Sequence, residues 1–429
     1  MTGDFVDGFA AGFAEARVRD RARVGTADAF PPEADYGVRV FGAGVSDGCG
    51  QAQDDLDRAR IVPPVFMPRR LERLIELGRE PLPDDVDLES GIGGFASPLP
   101  LFLSAFGSTR VGSGDLAVAA SRQAGRLGIP MVIGENTVSV HGYRGASGAP
   151  SVILSRIRAY LEEAGEGRGG VVVQQSTEDA DSEVWNLLYS DPAVQPLLAS
   201  GRLGFELKVG QGAKPGLGGM TVLTRPEADR LADRFAVRDV LGPGSERVLR
   251  CASPGTFTEE IVRQQLHFMR NNYPRARTWI KFHPGRDIAE AAATAWSAGA
   301  DAVTVDGAEG GTGWAPTAFL DHVGLPLGEC LRRIGRPAGD LLVTGRMWEG
   351  TRIVRALALG AGAAGLGRAA LIAVAEDPER GLVRLAECIA LELRLLISAL
   401  GKYSPSVLGP EDLWWPGSGV HDRQEALTG

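Results

Sequence analysis

Between residues 91 and 380, short apolar runs alternate with longer stretches in which apolar residues recur every three or four positions. That switch of period, from extended chain to amphipathic helix and back, predicts successive βα units. The apolar runs predict eight strands: 100–106 (PLFLSAF), 129–134 (IPMVIG), 169–176 (GGVVVQQS), 204–210 (GFELKVG), 278–284 (TWIKFHP), 301–307 (DAVTVDG), 340–345 (DLLVTG) and 363–368 (AAGLGR). Several are apolar on both faces, as in parallel sheets covered by helices. Helices are predicted at 115–128, 151–165, 258–273, 287–299 and 349–360. Eight strands favour an α/β fold of the (β/α)8 TIM-barrel class. An open doubly wound sheet would usually hold fewer, roughly five to seven, and would open on a G-x-G-x-x-G turn that does not follow the first strand here.

The flanks read differently. Residues 381–403 (GLVRLAECIALELRLLISALGKY) predict one long amphipathic helix, and residues 1 to about 60, with the Gly- and Asp-rich FGAGVSDGCGQAQDDLD at 41–57, an irregular arm or interface strap. The expected organisation is an N-terminal extension over 1–90, a barrel over 91–380, and a C-terminal helix and tail over 381–429.

Composition narrows the function class. The 58 glycines and 26 prolines lie mostly singly at the ends of apolar runs, as tight strand-to-helix turns require. A net charge of -9 gives no basic footprint for nucleic acid. No run approaches the ~20 apolar residues of a membrane span, and the N-terminus is too acidic for a secretion signal. Cys49, Cys251, Cys330 and Cys388 are widely spaced, which fits reduced structural thiols and neither disulfides nor a metal site. A cytoplasmic enzyme is expected, a homo-oligomer with no nucleic-acid or membrane partner.

Candidate chemistry sits at the predicted strand ends. Three glycine-rich turns, DGAEGGTGWAP (306–316), TGRMWEG (344–350) and GLGRAA (365–370), follow the last three strands. In such barrels these turns bind phosphate, because glycine lets backbone N–H groups converge on an anion at a helix N-terminus. Gly345, Arg346, Gly365, Gly367 and Arg368 are the predicted cradle. Lys208 and Lys281 each end an apolar strand, where a charge needs a ligand or partner to compensate it. A cation at Lys281 would stabilise an anionic reduced flavin ring. The loop KVGQGAKPGLGG (208–219) concentrates Lys208, Gln211 and Lys214, which could hold a small dicarboxylate.

The strings ELKVGQGAKPGLGG, DAVTVDGAEGGTGWAP and GLGRAALIA, in that order, resemble the FMN-binding domain of the glutamate synthase family over about residues 90–375. The resemblance implies an FMN-containing barrel that reduces 2-iminoglutarate, formed from 2-oxoglutarate and ammonia, to glutamate. It implies that Lys208, Gln211 and Lys214 hold the 2-oxo acid and that Glu135 is the acid of the site. It further implies that Ser104, Ala105, Gln175, Lys281, Gly310, Gly311 and Thr312 line the flavin.

Two family features are missing from the sequence. The stretch from the last residue of GLGRAALIA onward, AVAEDPERGLVRLAEC (373–388), holds Cys388 as its one cysteine, so no iron-sulfur cluster is expected. No amidotransferase cysteine opens the chain. Nitrogen is therefore expected from free ammonia, an amine or an ammonia-supplying protein partner, and electrons from NAD(P)H or an electron-supplying partner. The substrate can be a 2-oxo acid or, in the oxidative direction, an amino acid. Two alternatives stay open: an FMN oxidase of an amino or 2-hydroxy acid, for which His141 is the nearest histidine candidate, and a non-catalytic barrel subunit. His283 and His322 read as satisfied structural residues or as donors that support the site from behind, rather than as general bases.

Overall fold

A computed structural model describes residues 13–29, 54–106, 114–134, 152–176, 183–210, 212, 221–230, 232–233, 235–239, 244–251, 256–311 and 317–416. Eight parallel strands close into a barrel: β1 Leu101–Leu103, β2 Met131–Ile133, β3 Val171–Ser176, β4 Leu203–Lys208, β5 Arg277–Phe282, β6 Ala302–Asp306, β7 Asp340–Thr344 and β8 Ala363–Leu366. Each pairs with the next, and β8 closes on β1 through Ala364↔Leu101. All eight lie within the predicted runs or within one residue of them. The outer layer is α1 Gly114–Leu127, α2 Val152–Leu161, α3 Val184–Ser190, α4 Glu259–Asn272, α5 Ile288–Ser297, α6 Leu327–Ile334, α7 Gly350–Ala358 and α8 Arg368–Glu376.

The strands are apolar on both faces because two separate cores need them. Leu101, Leu103, Met131, Ile133, Val171 and Val173 point outward into the large strand–helix core. Phe102, Val132, Val172, Trp279, Ala302, Leu342 and Ala363 point inward and fill the barrel floor. A hairpin of Ser90–Ile92 and Phe95–Ser97 plugs that floor from below. Its Gly93 has φ +55° and receives the Trp279 indole N–H on its carbonyl at 2.9 Å. A methyl group at Gly93 would stand 2.3 Å from the indole, so the turn accepts only glycine.

Two regions depart from the sequence expectation. The 1–60 arm contains a helix, Glu15–Val24, docked on the C-terminal helix Gly381–Ala399 and on α8. Six of the ten residues of its EARVRDRARV string are charged, yet Val18, Arg21 and Ala22 are buried. Arg21 is accommodated because Glu392 accepts its guanidinium at 2.5 Å and the cation lies 5.0 Å from the Trp348 ring. Between β4 and α4 the chain also makes a three-stranded antiparallel sheet, Thr221–Thr224, Ala236–Arg238 and Arg247–Cys251, with its own small core of Leu223, Ala228 and Val248. These strands are short and arginine-rich, and carry no period strong enough to be seen in the sequence.

Cys330 and Cys388 are buried free thiols, and burial pushes them up to about 12 and about 11. Their thiolates are therefore scarce at neutral pH, in keeping with structural roles. Among the described residues no helix is long and apolar enough to cross a membrane.

Candidate active site

The C-terminal mouth of the barrel carries the polar residues. Above the apolar floor the inward positions become Gln174, Glu206, Lys281, Thr304, Asp306 and Thr344, all buried. Glu206 accepts hydrogen bonds from Gln174 Nε2 and, at 2.7 Å, from Thr304 Oγ1. Burial raises the Glu206 carboxyl above its ordinary value, against the pull of Lys281 and these two donors. Lys281 Nζ stands 3.1 Å from Asp306 Oδ1. The charge that the sequence placed inside the barrel is thus compensated by a residue of the chain itself. Asp306 Oδ2 also accepts the Gly212 N–H at 3.2 Å, which ties the 208–219 loop to the top of β6.

The last three turns lie close to one another. Gly310 N–H bonds to the Gly307 carbonyl at 2.8 Å, and a methyl at Gly310 would meet that oxygen at 2.9 Å. A methyl at Gly345 would lie 3.5 Å from the Gly307 nitrogen, so the second turn rests against the first. A methyl at Gly311 would lie 4.0 Å from Arg368 Nη2, which brings the third turn to the same place. Gly367 caps α8, and Arg368 opens it over the Phe13 ring at 5.7 Å. Arg368 has no carboxylate partner among the described residues, and burial lowers its basicity. A guanidinium in this state at a helix N-terminus, with first-turn N–H groups beside it, is a good anion receptor.

Ser104 and Ala105 lie at the mouth directly after β1, with the Ser104 N–H on the Leu366 carbonyl at 3.1 Å. Lys208 ends β4, half-buried. Alternation along β3 gives Gln174 and Ser176 the inward direction of Val172, and Gln175 the outward direction of Val173. Gln175 therefore does not share the barrel interior with Lys281. Arg346 also has a different place from the one its motif predicts. Its Nη1 bonds Asp57 at 2.6 Å, so what it offers the cradle is backbone, held at φ +56° beside Gly345 at φ +124°. Glu135, Gln211, Lys214 and Thr312 lie outside the described residues.

A buried charge cluster behind the cradle was not anticipated. Asp54 caps the short helix Asp55–Arg58, and Arg352 of α7 reaches it at 2.8 Å, Asp57 at 2.6 Å and Glu309 at 2.5 Å. Arg352 Nε also donates to the Gly345 carbonyl at 3.0 Å. One guanidinium thus links the N-terminal segment to both the β6 and the β7 turns. The available signals were the DDLD string at 54–57 and an arginine in the apolar period of α7. Burial pushes Glu309 up to about 8, and the hydrogen bond it shares with Asp54 adds to the rise against Arg352. Burial also works to raise Asp54, but Arg352 and Glu309 outweigh it and hold that carboxyl well below its usual range. The two carboxyls are thus driven apart, and Glu309 is the one that holds a proton more tightly.

This gives a signed pH effect. Glu309 binds its proton more tightly in the folded protein, so its contribution to stability is complete below its ordinary value and lost as pH rises through about 8. The thermal midpoint is expected to fall as pH rises from 4.5 to about 8, and Glu309→Gln should flatten that fall. An equally steep profile in the variant would refute the assignment.

His283 also departs from its sequence reading. It follows β5 on the inward side, and its Nδ1 is buried with no hydrogen-bond partner among the described residues. A methyl at Gly210 would stand 2.7 Å from that nitrogen. Burial lowers the imidazole below its ordinary value, with Asp287 opposing.

The family model for the conserved region in glutamate synthase matches residues 144–377, more than half of the chain. The chain belongs to the glutamate synthase family. The archaeal-type glutamate synthase [NADPH] of Thermotoga maritima is 30% identical over 198 residues, covering 41% of this chain and 38% of that protein. A glutamate synthase large subunit-like protein of Rhizobium meliloti is 32% identical over 181 residues, covering 40% of each. The chain thus spans about two fifths of the length of these relatives. Among solved structures, the soluble mutant of (S)-mandelate dehydrogenase from Pseudomonas putida superposes with a TM-score of 0.54 at 19% identity, over 95% of this chain and 100% of that one. Flavocytochrome b2 with sulfite bound gives 0.54 at 17% identity, over 87% and 82%. At these identities the likeness is one of fold.

Proposed function

We propose that this member of the glutamate synthase family is an FMN-dependent oxidoreductase acting at a C–N bond. It reduces the 2-imino acid formed from a 2-oxo acid, 2-oxoglutarate first among them, and ammonia or an amine to the amino acid. The observation that carries this reading is the anchoring of the GQGAKPG loop. Gly212 is held on Asp306, Asp306 is paired with Lys281, and the loop therefore starts directly over the barrel interior, beside the three glycine turns.

The residues present fit the cofactor. A methyl at Gly345 would meet the Gly307 nitrogen at 3.5 Å, one at Gly311 the Arg368 guanidinium at 4.0 Å and one at Gly367 the Ser104 Cβ at 4.0 Å, so these turns leave room for a phosphate, and Arg368 brings a cation with no carboxylate partner among the described residues. When bound, FMN supplies the hydride that an imine carbon accepts. Lys281 would hold positive charge beside the ring, and the Lys208–Lys214 loop would orient the carboxylates of the substrate.

Purified protein is expected to retain or take up FMN. Its flavin should be reduced anaerobically by NADPH and reoxidised by 2-oxoglutarate with ammonium. Colourless protein that cannot be reconstituted would refute the reading, and so would a flavin that is reduced by 2-hydroxy acids and ignores the 2-oxo acid and ammonium.

A further inference from the structure

We propose that His283 is the proton relay for imine formation in this site, taking a proton from the incoming ammonium and returning it to the departing water. The inference rests on the function proposed above and assigns its first chemical step to a residue that neither the motifs nor the family resemblance had singled out.

The geometry begins with β5. Lys281 points into the barrel and Phe282 into the outer core, so alternation turns His283 back to the inward side, just above the Lys281–Asp306 pair. The β4–β5 ladder continues past the strands, because the Val209 N–H donates to the Lys281 carbonyl at 2.9 Å. Gly210 is thereby brought against the imidazole, and a methyl there would stand 2.7 Å from Nδ1 and 2.9 Å from Cβ of His283. Beyond the ring, the Gly285 N–H bonds back to the His283 carbonyl at 2.8 Å and the Leu325 N–H to the Pro284 carbonyl at 2.9 Å, which fixes the turn that carries it. The imidazole is therefore rigidly placed at the root of the loop that would hold the 2-oxo acid, with a buried nitrogen that no described residue uses.

Chemistry asks for such a group. Ammonium has no lone pair and must lose a proton before its nitrogen can attack the C2 carbonyl. The carbinolamine then formed must gain a proton on oxygen so that the C–O bond breaks and water leaves. One group can do both: the neutral imidazole takes the proton, the C–N bond forms, and the imidazolium gives the same proton to the hydroxyl as the C–O bond breaks. Ammonium and a ketone thus become an iminium ion and water, with no net proton exchanged. Other titratable groups around the ring are committed or remote from this task. Lys281 is paired with Asp306, Glu206 lies deeper under Gln174 and Thr304, Lys208 ends β4, and Asp287, on the turn into α5, lies toward the Nε2 side of the ring, away from the buried Nδ1. Burial keeps the His283 ring neutral, the form that accepts a proton first.

The test compares wild type with His283→Asn, both loaded with FMN and reduced anaerobically with dithionite. FMN absorbance and thermal midpoint are expected to be unchanged. Reoxidation by 2-oxoglutarate and ammonium chloride should slow about 100-fold. It should also lose the rise with pH that wild type shows through a value below 6.5, the ordinary histidine value. Gly210→Ala, which displaces the ring without removing it, should share the defect. Independently of turnover, the ring resonance of His283 in the flavin-free protein should titrate below 6.5 and move when 2-oxoglutarate is added. A wild type that reoxidises together with a variant of the same rate and pH profile would overturn the relay and leave the proposed function standing. A flavin-loaded wild type that does not reoxidise would overturn both.

Discussion

Arg352→Met should lower the stability of the folded protein by about 3–5 kcal/mol, the cost of stranding a buried charge partner. Arg352 is 1% exposed and is the shared cation of Asp54, Asp57 and Glu309. Methionine can fill part of the volume but supplies no charge and no donors. Asp54 would lose the guanidinium that holds it ionised, Glu309 would lose its attraction, and the Gly345 carbonyl would lose a hydrogen bond. The damage should not remain local. The helix Asp55–Arg58 is fastened to the β6 and β7 turns through this residue, so the anion cradle should loosen and FMN should bind more weakly. Urea unfolding with and without FMN measures both effects. A loss under about 1 kcal/mol would show that the carboxylates find other partners.

Lys281→Met is the second large effect. In the reductive reaction proposed here it should lower turnover by at least about 100-fold, the scale seen when a preorganised electrostatic group is removed from an active site. The barrel interior holds Glu206 and Asp306 beside this buried cation. Without it two buried carboxyls face one another, and both should hold protons to higher pH. Their contribution to stability would then be present at low pH and lost as pH rises, so the thermal midpoint of the variant should fall more steeply from pH 5 to 8 than that of wild type. Asp306 also carries the Gly212 N–H, so the substrate loop should lose definition at its root. Lys281→Arg, which restores charge with a different shape, should recover the pH profile better than the turnover. Unchanged turnover in Lys281→Met would sink the role given to this cation.

These expectations depend on residues of unequal visibility. Lys281 stood out because a lone cation in TWIKFHP conflicts with an apolar strand. Its partner did not, because Asp306 lies 25 positions away and ends a different strand, one that reads simply as the lead into a glycine turn. Arg346 was misplaced for the same reason: its motif describes a backbone turn, while its guanidinium is claimed by Asp57 from 289 positions upstream. Gln175 and Gln174 are adjacent, and only strand alternation decides which of them enters the barrel. His283 was read as satisfied because sequence cannot show that the neighbouring residue is a glycine pressed against its ring.

The sequence by itself determined the barrel. Eight apolar runs, the intervening helical periods and the glycine turns are local signals, since each strand must be apolar on both faces and each turn must be tight whatever lies across from it. Family membership was legible too, because the loop strings are contiguous. What only the tertiary structure decided is where charge resides. The pairing of Lys281 with Asp306, the raised Glu309 carboxyl beside Asp54, the docking of Glu15–Val24 through Arg21 and the approach of Gly210 to the His283 ring each join segments distant in the chain. Burial and partner together set the cost of a charge, and both are properties of the closed barrel, absent from any one stretch of sequence.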